Sequence, residues 1–266
     1  MKKIVKNPLV ILAVGVLVVA GSSVGATRAA ITYSSRAEQV DFTTAQLEVQ
    51  LQELQGDDYV VVNNGDGEAD SLTFPSIAEA MKTNDADKSN DLPFTVGKTY
   101  AENVRVVNTS EGGYDEYVRV YVRKSWKDDN GKNTILDPKL IDLEIASGWY
   151  EETSNKDDDE KTEAEKAGEG AVYYLAKPLA YGESHDLIKS ITIDNEVLTY
   201  VKTVDGDKTG VVVDEYQYNG KTFYVEIRVD AVQTHNAKEA ILGAWGVHAE
   251  VDDNGVITSI NEAAVN

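Results

Sequence analysis

Two stretches of this chain alternate apolar and polar residues strictly, and they limit the fold more than any other feature. The first, residues 116–126, places three valines on one side: Val118, Val120 and Val122. Its other side carries two tyrosines and two arginines: Tyr117, Arg119, Tyr121 and Arg123. The second, residues 222–232, places five apolar side chains on one side: Phe223, Val225, Ile227, Val229 and Ala231. A period of two is the repeat of a strand, so both stretches are predicted to be strands with one buried face.

Shorter stretches with the same character follow one another along the chain. They are residues 47–51, 59–62, 102–108, 137–145, 171–176, 187–193 and 247–251. Residues 76–81 and 237–245 favour helices, the second with Asn236 as its cap and Glu239 three residues on. Residues 197–210 fit either a short helix or an irregular loop. Many short strands without a strand–helix–strand rhythm predict an all-β fold, an antiparallel β-sandwich, of which the jelly roll is one form.

Residues 151–168 are nearly all charged or polar, and such a run buries no apolar surface. We therefore expect a flexible acidic loop inside a domain that spans residues 43–260, followed by a tail at 261–266. The segment Asn63–Asp70 carries acidic residues at alternate positions. It lacks the glycine and the distal glutamate of a calcium loop, so an ordinary turn is the favoured interpretation.

The first 29 residues have the layout of an export signal. Three lysines precede an uncharged apolar run at residues 9–20, which is shorter than the ~20 residues that a membrane-spanning helix needs. Small residues follow, and Thr27 and Ala29 fit the positions before a cut that leaves Ala30 as the first mature residue. Cuts after residues 26 or 30 are alternatives, and a retained membrane anchor is the alternative to cleavage. We expect contact with the membrane only before the signal is cut.

The composition is strongly acidic, with a formal charge of −21 at pH 7. Residues 1–29 hold four basic residues and no acid, so their removal moves the charge to −25. Such a chain repels nucleic acid and anionic lipid, so neither is an expected partner. The chain has no cysteine, so a secreted form depends on its core instead of disulfides.

No pattern in the sequence predicts catalysis or a cofactor. The three histidines, His185, His235 and His248, have no metal-ligand spacing, and neither a nucleophile elbow nor a phosphate loop occurs. We therefore predict no catalytic residue, no metal ligand and no cofactor.

The mature start and several later blocks resemble the TasA/camelysin family of exported Gram-positive proteins. The resemblance is carried by residues 25–51, with the step from Phe42 to Leu47, and by residues 102–126, 148–150, 171–183 and 223–247. The chain departs from the family in having Ser34 and Ser35 where an acidic residue usually follows the aromatic. The resemblance implies a jelly-roll fold, export through a dedicated signal peptidase, and a role in biofilm-matrix fibres or at the cell surface.

These observations together suggest a secreted fibre subunit. Residues 30–42 form a mature N-terminal arm, which we expect to pair with an open sheet edge of the next copy in a head-to-tail filament. Four apolar side chains are the candidate donor residues: Ile31, Tyr33, Val40 and Phe42. The alternative hypotheses are a monomeric surface adhesin and a camelysin-like metallopeptidase. The Tyr–Arg face of residues 117–123 is expected to be exposed, as an ordinary sheet surface or as a contact surface.

Overall fold

The described part of the chain is built mainly from antiparallel β-strands. A computed structural model of the protein describes residues 47–82, 94–128, 131–133, 135–152, 157, 159, 161–205 and 212–262. Every strand pairing within these ranges is antiparallel. The prediction of an all-β, antiparallel fold is therefore confirmed.

Within the described ranges, nine strands and two helices lie in predicted stretches, whereas six strands and one helix were not predicted. In chain order the strands are β1 (Val49–Gln55), β2 (Asp58–Asn63), β3 (Asp70–Ser71), β4 (Thr99–Asn108), β5 (Glu116–Asp128), β6 (Gly131–Asn133), β7 (Ile141–Ile145), β8 (Trp149–Glu151), β9 (Gly170–Leu175), β10 (Ser184–Ile193), β11 (Val201–Asp205), β12 (Val212–Tyr216), β13 (Thr222–Gln233), β14 (Val247–Val251) and β15 (Ile257–Glu262). The helices are α1 (Pro75–Lys82), α2 (Glu163–Lys166) and α3 (Ala237–Trp245), with 3-10 turns at Pro138–Leu140 and Asn195–Leu198.

Two larger sheets and two ribbons contain these strands. The first sheet has the order β2-β1-β4-β10-β7, and the second has the order β3-β13-β5-β9-β8, with β6 pairing to β5. The ribbons are β11 with β12 and β14 with β15. The two long strands of the second sheet pair at twelve consecutive positions, from Thr222 opposite Lys127 to Gln233 opposite Glu116.

One hydrophobic core is shared by the inward faces of the two sheets. The second sheet contributes the three buried valines of β5 and the fully buried Val225, Ile227 and Val229 of β13. The first sheet contributes Leu51, Val104 and Val106 to the same cluster. Each such side chain contributes roughly 1.5–3 kcal/mol when it is fully buried. The alternation in both long stretches therefore identified their buried faces correctly.

A second cluster covers part of the outer face of the second sheet. Helix α3 and the β14–β15 ribbon place Ile241, Trp245 and Val247 over β5, in contact with Tyr117 and other buried residues. Tyr117 is 1% exposed and Arg119 is 7% exposed. This corrects the expectation that these two side chains lie on an exposed face, because a second layer of the same chain covers them. Tyr121 is half-buried and Arg123 is exposed.

The structure corrects three further local expectations. Asn236 precedes α3, but its backbone is left-handed, with φ 51°, and its side chain makes no capping hydrogen bond. A cap needs an extended backbone to bring its oxygen over the first turn. Within the acidic loop, Thr162 and Glu165 form a reciprocal capping box on α2, so residues 162–166 are a capped helical turn. Strand β15 also continues to Glu262, past the start of the predicted tail.

Candidate functional site: an open edge of the second sheet

Most of the residues predicted to act during export and assembly lie outside the described residues. These are the cleavage residues Thr27, Ala29 and Ala30 and the donor residues Ile31, Tyr33, Val40 and Phe42. The described residues do contain the sheet edges with which such an arm could pair. The site is therefore the acceptor side of the predicted contact.

The longest such edge belongs to β13. One side of this strand is fully paired with β5, whereas on its other side the short β3 pairs only at Glu226 and Ile227. The other terminal strands of the two sheets are shorter, at six residues for β2, five for β7 and three for β8. An incomplete pairing along a twelve-residue strand leaves backbone donors and acceptors for another segment.

The backbone groups that face this edge can be identified from their hydrogen bonds. The carbonyl of Val225 accepts from the N–H of Leu72 at 2.9 Å, and the N–H of Val229 donates to Asn63 Oδ1 at 3.4 Å. Since alternate residues of a strand face the same side, Ala231 and Gln233 also face this edge. No strand in the described ranges pairs with them there.

Residues 70–74, which we call the cap, occupy the middle of the β13 edge. They comprise β3 and the three residues that lead into α1. Leu72 and Phe74 are each 6% exposed and belong to the main core. The ring of Phe74 packs edge-on against Phe223 of β13, with 5.2 Å between the ring centroids. The backbone of Phe74 is left-handed, with φ 50°, which is a strained conformation for a bulky residue.

A buried carboxylate on β1 holds the cap in place. Glu53 has no exposed surface, and its Oε1 accepts from the N–H groups of Thr73 at 2.8 Å and Phe74 at 3.0 Å. Its Oε2 accepts from the Thr73 hydroxyl at 2.5 Å and from Gln55 Nε2 at 3.0 Å. Four donors around one carboxylate compensate for its burial.

A second carboxyl lies beside Glu53. Glu102 on β4 is 2% exposed, and neither of its oxygens accepts a hydrogen bond from a donor group among the described residues. Burial, together with the hydrogen bond and the charge of Glu53, raises the pKa of Glu102 to about 9. With a pKa of about 9, the carboxyl of Glu102 keeps its proton at neutral pH. A neutral Glu102 then donates to Glu53, which explains the apparent lack of a partner.

The sequence contained the signal for this pair. Glu53 continues the inward set of Val49 and Leu51, and Glu102 lies between Tyr100 and Val104 in the inward set of β4. A glutamate at an inward position of an alternating strand is a candidate buried acid. The alternation of these runs predicts the two strands but does not by itself show that the two glutamates meet.

Asn63 fixes the turn that leads into the cap. It is 1% exposed, and its Nδ2 donates to the Glu68 carbonyl at 3.0 Å and to Asp70 Oδ2 at 2.9 Å. Its Oδ1 also accepts from the N–H of Gly65 at 3.1 Å. Asp66 Oδ1 accepts from the N–H of Glu68 at 3.0 Å. The acidic side chains at 66 and 70 thus serve the turn itself, in line with the favoured interpretation.

A second buried acid lies at the base of the predicted arm. Glu116 has no exposed surface and accepts from the Ser110 hydroxyl, which in turn accepts from the N–H of Glu48 at 2.9 Å. Burial raises the pKa of Glu116 to about 7. Because Gln233 pairs with Glu116, the first described residues of the chain and the unpaired end of β13 lie at the same end of the two sheets.

The middle of the Tyr–Arg face forms a cation–aromatic stack around the ring of Tyr121. Arg119 lies 4.5 Å and Arg228 4.0 Å from the ring of Tyr121, measured from each guanidinium carbon to the ring centroid. Asp230 bridges both arginines, at 2.8 Å from Arg119 and 3.5 Å from Arg228. These contacts rigidify the face and leave Arg123 as its exposed charge.

Within the described ranges, no group of three or more His, Asp or Glu side chains could hold a metal ion. His185 contacts the Ser147 carbonyl at 2.9 Å and packs against Trp149, whereas His235 and His248 are exposed on other elements. None of the helices in that part of the chain is sufficiently long and apolar to span a membrane.

Comparison of the chain with protein-family models, with curated proteins and with solved structures found no match. Functional conclusions therefore depend on the β13 edge and on the arm sequence.

Proposed function

We infer that this chain is a secreted subunit of a cell-surface or matrix fibre, with a sandwich of jelly-roll type, and that it assembles by N-terminal strand donation. The observation that carries this proposal is the incompletely paired edge of β13. An extended segment that adds to a sheet edge gains main-chain hydrogen bonds for affinity and side-chain pockets for register. The resemblance to the TasA/camelysin family supports the same proposal.

The arm has the composition of such a segment. Ile31 and Tyr33 are two residues apart, as are Val40 and Phe42, so each pair falls on one face of an extended chain. The two pairs are an odd number of positions apart, so in a regular strand they face opposite sides. Only one pair at a time therefore reaches the core of the acceptor.

The arm has two candidate acceptors, which are the β13 edge of its own chain and the β13 edge of a neighbouring copy. Leu47 and Glu48 lie near the unpaired end of β13, as described above, and the chain between Phe42 and Leu47 extends at most ~3.3–3.6 Å per residue. The arm could therefore pair with the edge of its own chain or with that of a neighbour. Pairing of the arm with its own chain does not depend on protein concentration, whereas pairing with a neighbour does, since only the second produces a filament.

The charge of the chain sets the conditions for assembly. Copies that each carry −25 repel one another, and salt screens this repulsion over about 8 Å at physiological ionic strength. We expect filaments to form more readily as salt concentration rises, with Tyr33 or Phe42 providing the apolar anchor.

The test compares the chain that begins at Ala30 with a chain that begins at Thr43. We expect filaments in electron micrographs and concentration-dependent light scattering for the first chain, and a folded monomer for the second. Far-UV circular dichroism controls for folding of the shorter chain. Filaments from the chain that lacks the arm, or a strict monomer at every salt and protein concentration for the chain that keeps it, would contradict the proposal.

Side-chain variants sharpen this test. Replacement of Ile31 and Tyr33 by Ser should abolish assembly if that pair enters the core, whereas replacement of Val40 and Phe42 should do so if the other pair enters. The matched control replaces Ser34 and Ser35 by Ala, which leaves all four apolar side chains in place. Equal assembly of all three variants would exclude a sequence-specific donor strand.

A second candidate function is supported by the Tyr–Arg face. Tyr121 between two arginines, beside the exposed Arg123, is the type of surface that is enriched at protein interfaces. A monomeric surface protein would use it to bind an acidic ligand. Arg123→Ala would then reduce ligand binding while leaving assembly of the chain unchanged.

A further inference from the structure

The cap and the arm contain the same tripeptide pattern. Residues 72–74 are Leu-Thr-Phe and residues 31–33 are Ile-Thr-Tyr, so each has an aliphatic residue, a threonine and an aromatic residue in that order. In the cap these residues have separate tasks. Leu72 and Phe74 fill the core, and the hydroxyl of Thr73 donates to Glu53.

A third copy of the pattern, at residues 198–200, lies elsewhere. Leu198 ends a 3-10 turn and is 52% exposed, and the hydroxyl of Thr199 donates to the carbonyl of Glu196. This copy lies before β11, and no strand pairing in the described ranges joins it to β13. It therefore provides a control within the same chain.

We propose that the cap is an internal substitute for the donated strand: residues 31–33 of a neighbouring copy displace residues 72–74 from the β13 edge. This inference rests on the proposed function and specifies its regulation. Ile31 takes the place of Leu72, Tyr33 takes that of Phe74, and the hydroxyl of Thr32 donates to Glu53. Until then the cap protects the edge and keeps newly exported copies apart.

The structure of the cap suits displacement. Its regular strand pairing covers only two residues of β13, and its last residue, Phe74, has a left-handed backbone directly before Pro75. An incoming arm with an extended residue at that position avoids this strain. Because no strand in the described ranges pairs with the outer edge of β13 at Ala231 and Gln233, an arm could also pair at that end before it reaches the cap.

Displacement predicts a defined register. The N–H of Leu72 bonds to the carbonyl of Val225, so Ser71 and Glu226 form the adjacent pair without hydrogen bonds. If Ile31 replaces Leu72, residue 30 lies opposite Glu226. Side chains in such pairs lie close together, with Cα atoms about 4.5 Å apart, which suits a disulfide.

The first experiment tests this register by cross-linking, since the chain has no cysteine of its own. A chain starting at residue 30 with Ala30→Cys is mixed with one carrying Glu226→Cys, and disulfide-linked mixed dimers are identified by mass spectrometry. We expect efficient cross-linking of this pair and little with Tyr224→Cys, which is displaced by two residues. Preferential cross-linking of Gln39→Cys to Glu226→Cys would overturn the assignment, because it would place Val40 at the Leu72 position.

The second experiment locks the cap. Ser71→Cys with Glu226→Cys allows a disulfide between the cap and β13 that can be opened by reductant in the same sample. We expect the oxidised protein to form filaments roughly tenfold or more slowly than the wild type, because the acceptor edge is no longer accessible, and the reduced protein to recover. Each single-cysteine variant is a control for the substitutions themselves. Equal assembly of the oxidised and reduced forms would refute displacement of the cap.

The outcomes separate this inference from the proposed function. If the wild type forms no filaments, the proposed function fails; if it forms them and the locked protein does as well, only displacement of the cap fails. A third comparison uses Thr32→Val and Thr199→Val. Loss of a hydrogen bond to a carboxylate should slow assembly roughly tenfold for the first and leave the second at the wild-type rate. Equal rates for the two variants would exclude a role for Glu53 in receiving the arm.

Discussion

The Glu53–Glu102 pair makes a quantitative prediction about stability. In the folded chain Glu102 keeps its proton to a pKa of about 9, whereas its ordinary value is 4.5. Between these values the unfolded chain releases a proton that the folded chain retains. Glu102→Gln preserves the size of the side chain and a donor for Glu53, but it has no proton to lose. The free energy of unfolding of the variant should therefore not show the decrease with rising pH that Glu102 causes in the wild type.

The sign and size of the change in the free energy of unfolding with pH follow from the difference between the pKa of Glu102 in the folded and in the unfolded chain. The pKa of Glu102 is raised on folding, so its contribution is fully present below pH 4.5 and is lost as the pH rises towards 9. The loss amounts to about 1.4 kcal/mol per pH unit in that window. Between pH 6 and pH 8 the free energy of unfolding of the wild type should fall by about 3 kcal/mol relative to Glu102→Gln. This range also avoids the isoelectric point near 4.4, where solubility is lowest.

The assay is urea unfolding followed by tryptophan fluorescence at pH 6, 7 and 8, with the midpoint and slope fitted at each pH. Glu116, with a pKa of about 7, titrates in the same range but is common to both proteins, so its effect cancels in the difference. Glu183→Gln is the matched control, because this side chain is exposed, and it should change stability by less than about 0.5 kcal/mol. A difference between wild type and Glu102→Gln that stays constant from pH 6 to pH 8 would refute a neutral Glu102.

Three further predictions concern packing and backbone conformation. Gly65→Ala should lower the free energy of unfolding by about 2–3 kcal/mol in urea melts, because φ is +73° and the new Cβ would lie 2.9 Å from a backbone oxygen of β1. The control Gly220→Ala has a similar φ, +69°, but its Cβ would lie in open space, so it should lower the free energy of unfolding by only about 1 kcal/mol. Trp245→Ala should cost about 3–5 kcal/mol and lose near-UV circular dichroism, whereas Leu242→Ala, 37% exposed on the same helix, should cost under about 1 kcal/mol. Asn236→Gly should raise the melting temperature in calorimetry by roughly 2–4 °C, because glycine adopts φ 51° without strain and no cap is lost. A fall in melting temperature would show that the side chain of Asn236 contributes to the fold in another way.

Much of the local structure was readable from the chain. The strict alternation in β5 and β13 identified both strands and their buried faces, and the helices at α1 and α3 were placed within a few residues. The turn at Asn63–Asp70 was also identified, although its central residue, Asn63, was not singled out. These features depend on neighbours a few positions away, which is the range over which a sequence pattern carries information.

The candidate site could be predicted only in part. The arm and the need for an open edge came from the sequence, but the choice of β13 did not, because strand order is decided by contacts between distant segments. Glu53 and Glu102 each occupied a recognisable inward position. Their meeting beside Thr73 required β1, β4 and the cap to be neighbours in space.

The sequence by itself determined that this chain forms antiparallel strands with alternating faces, because side-chain direction repeats every two residues whatever the strand pairs with. Only the tertiary structure determined which of the outward faces remained exposed to solvent. Tyr117 and Arg119 have the pattern of an exposed face, yet α3 and the β14–β15 ribbon return from more than a hundred residues away to cover them. Alternation distinguishes the two faces of a strand, whereas burial of the second face depends on whether a distant element packs against it.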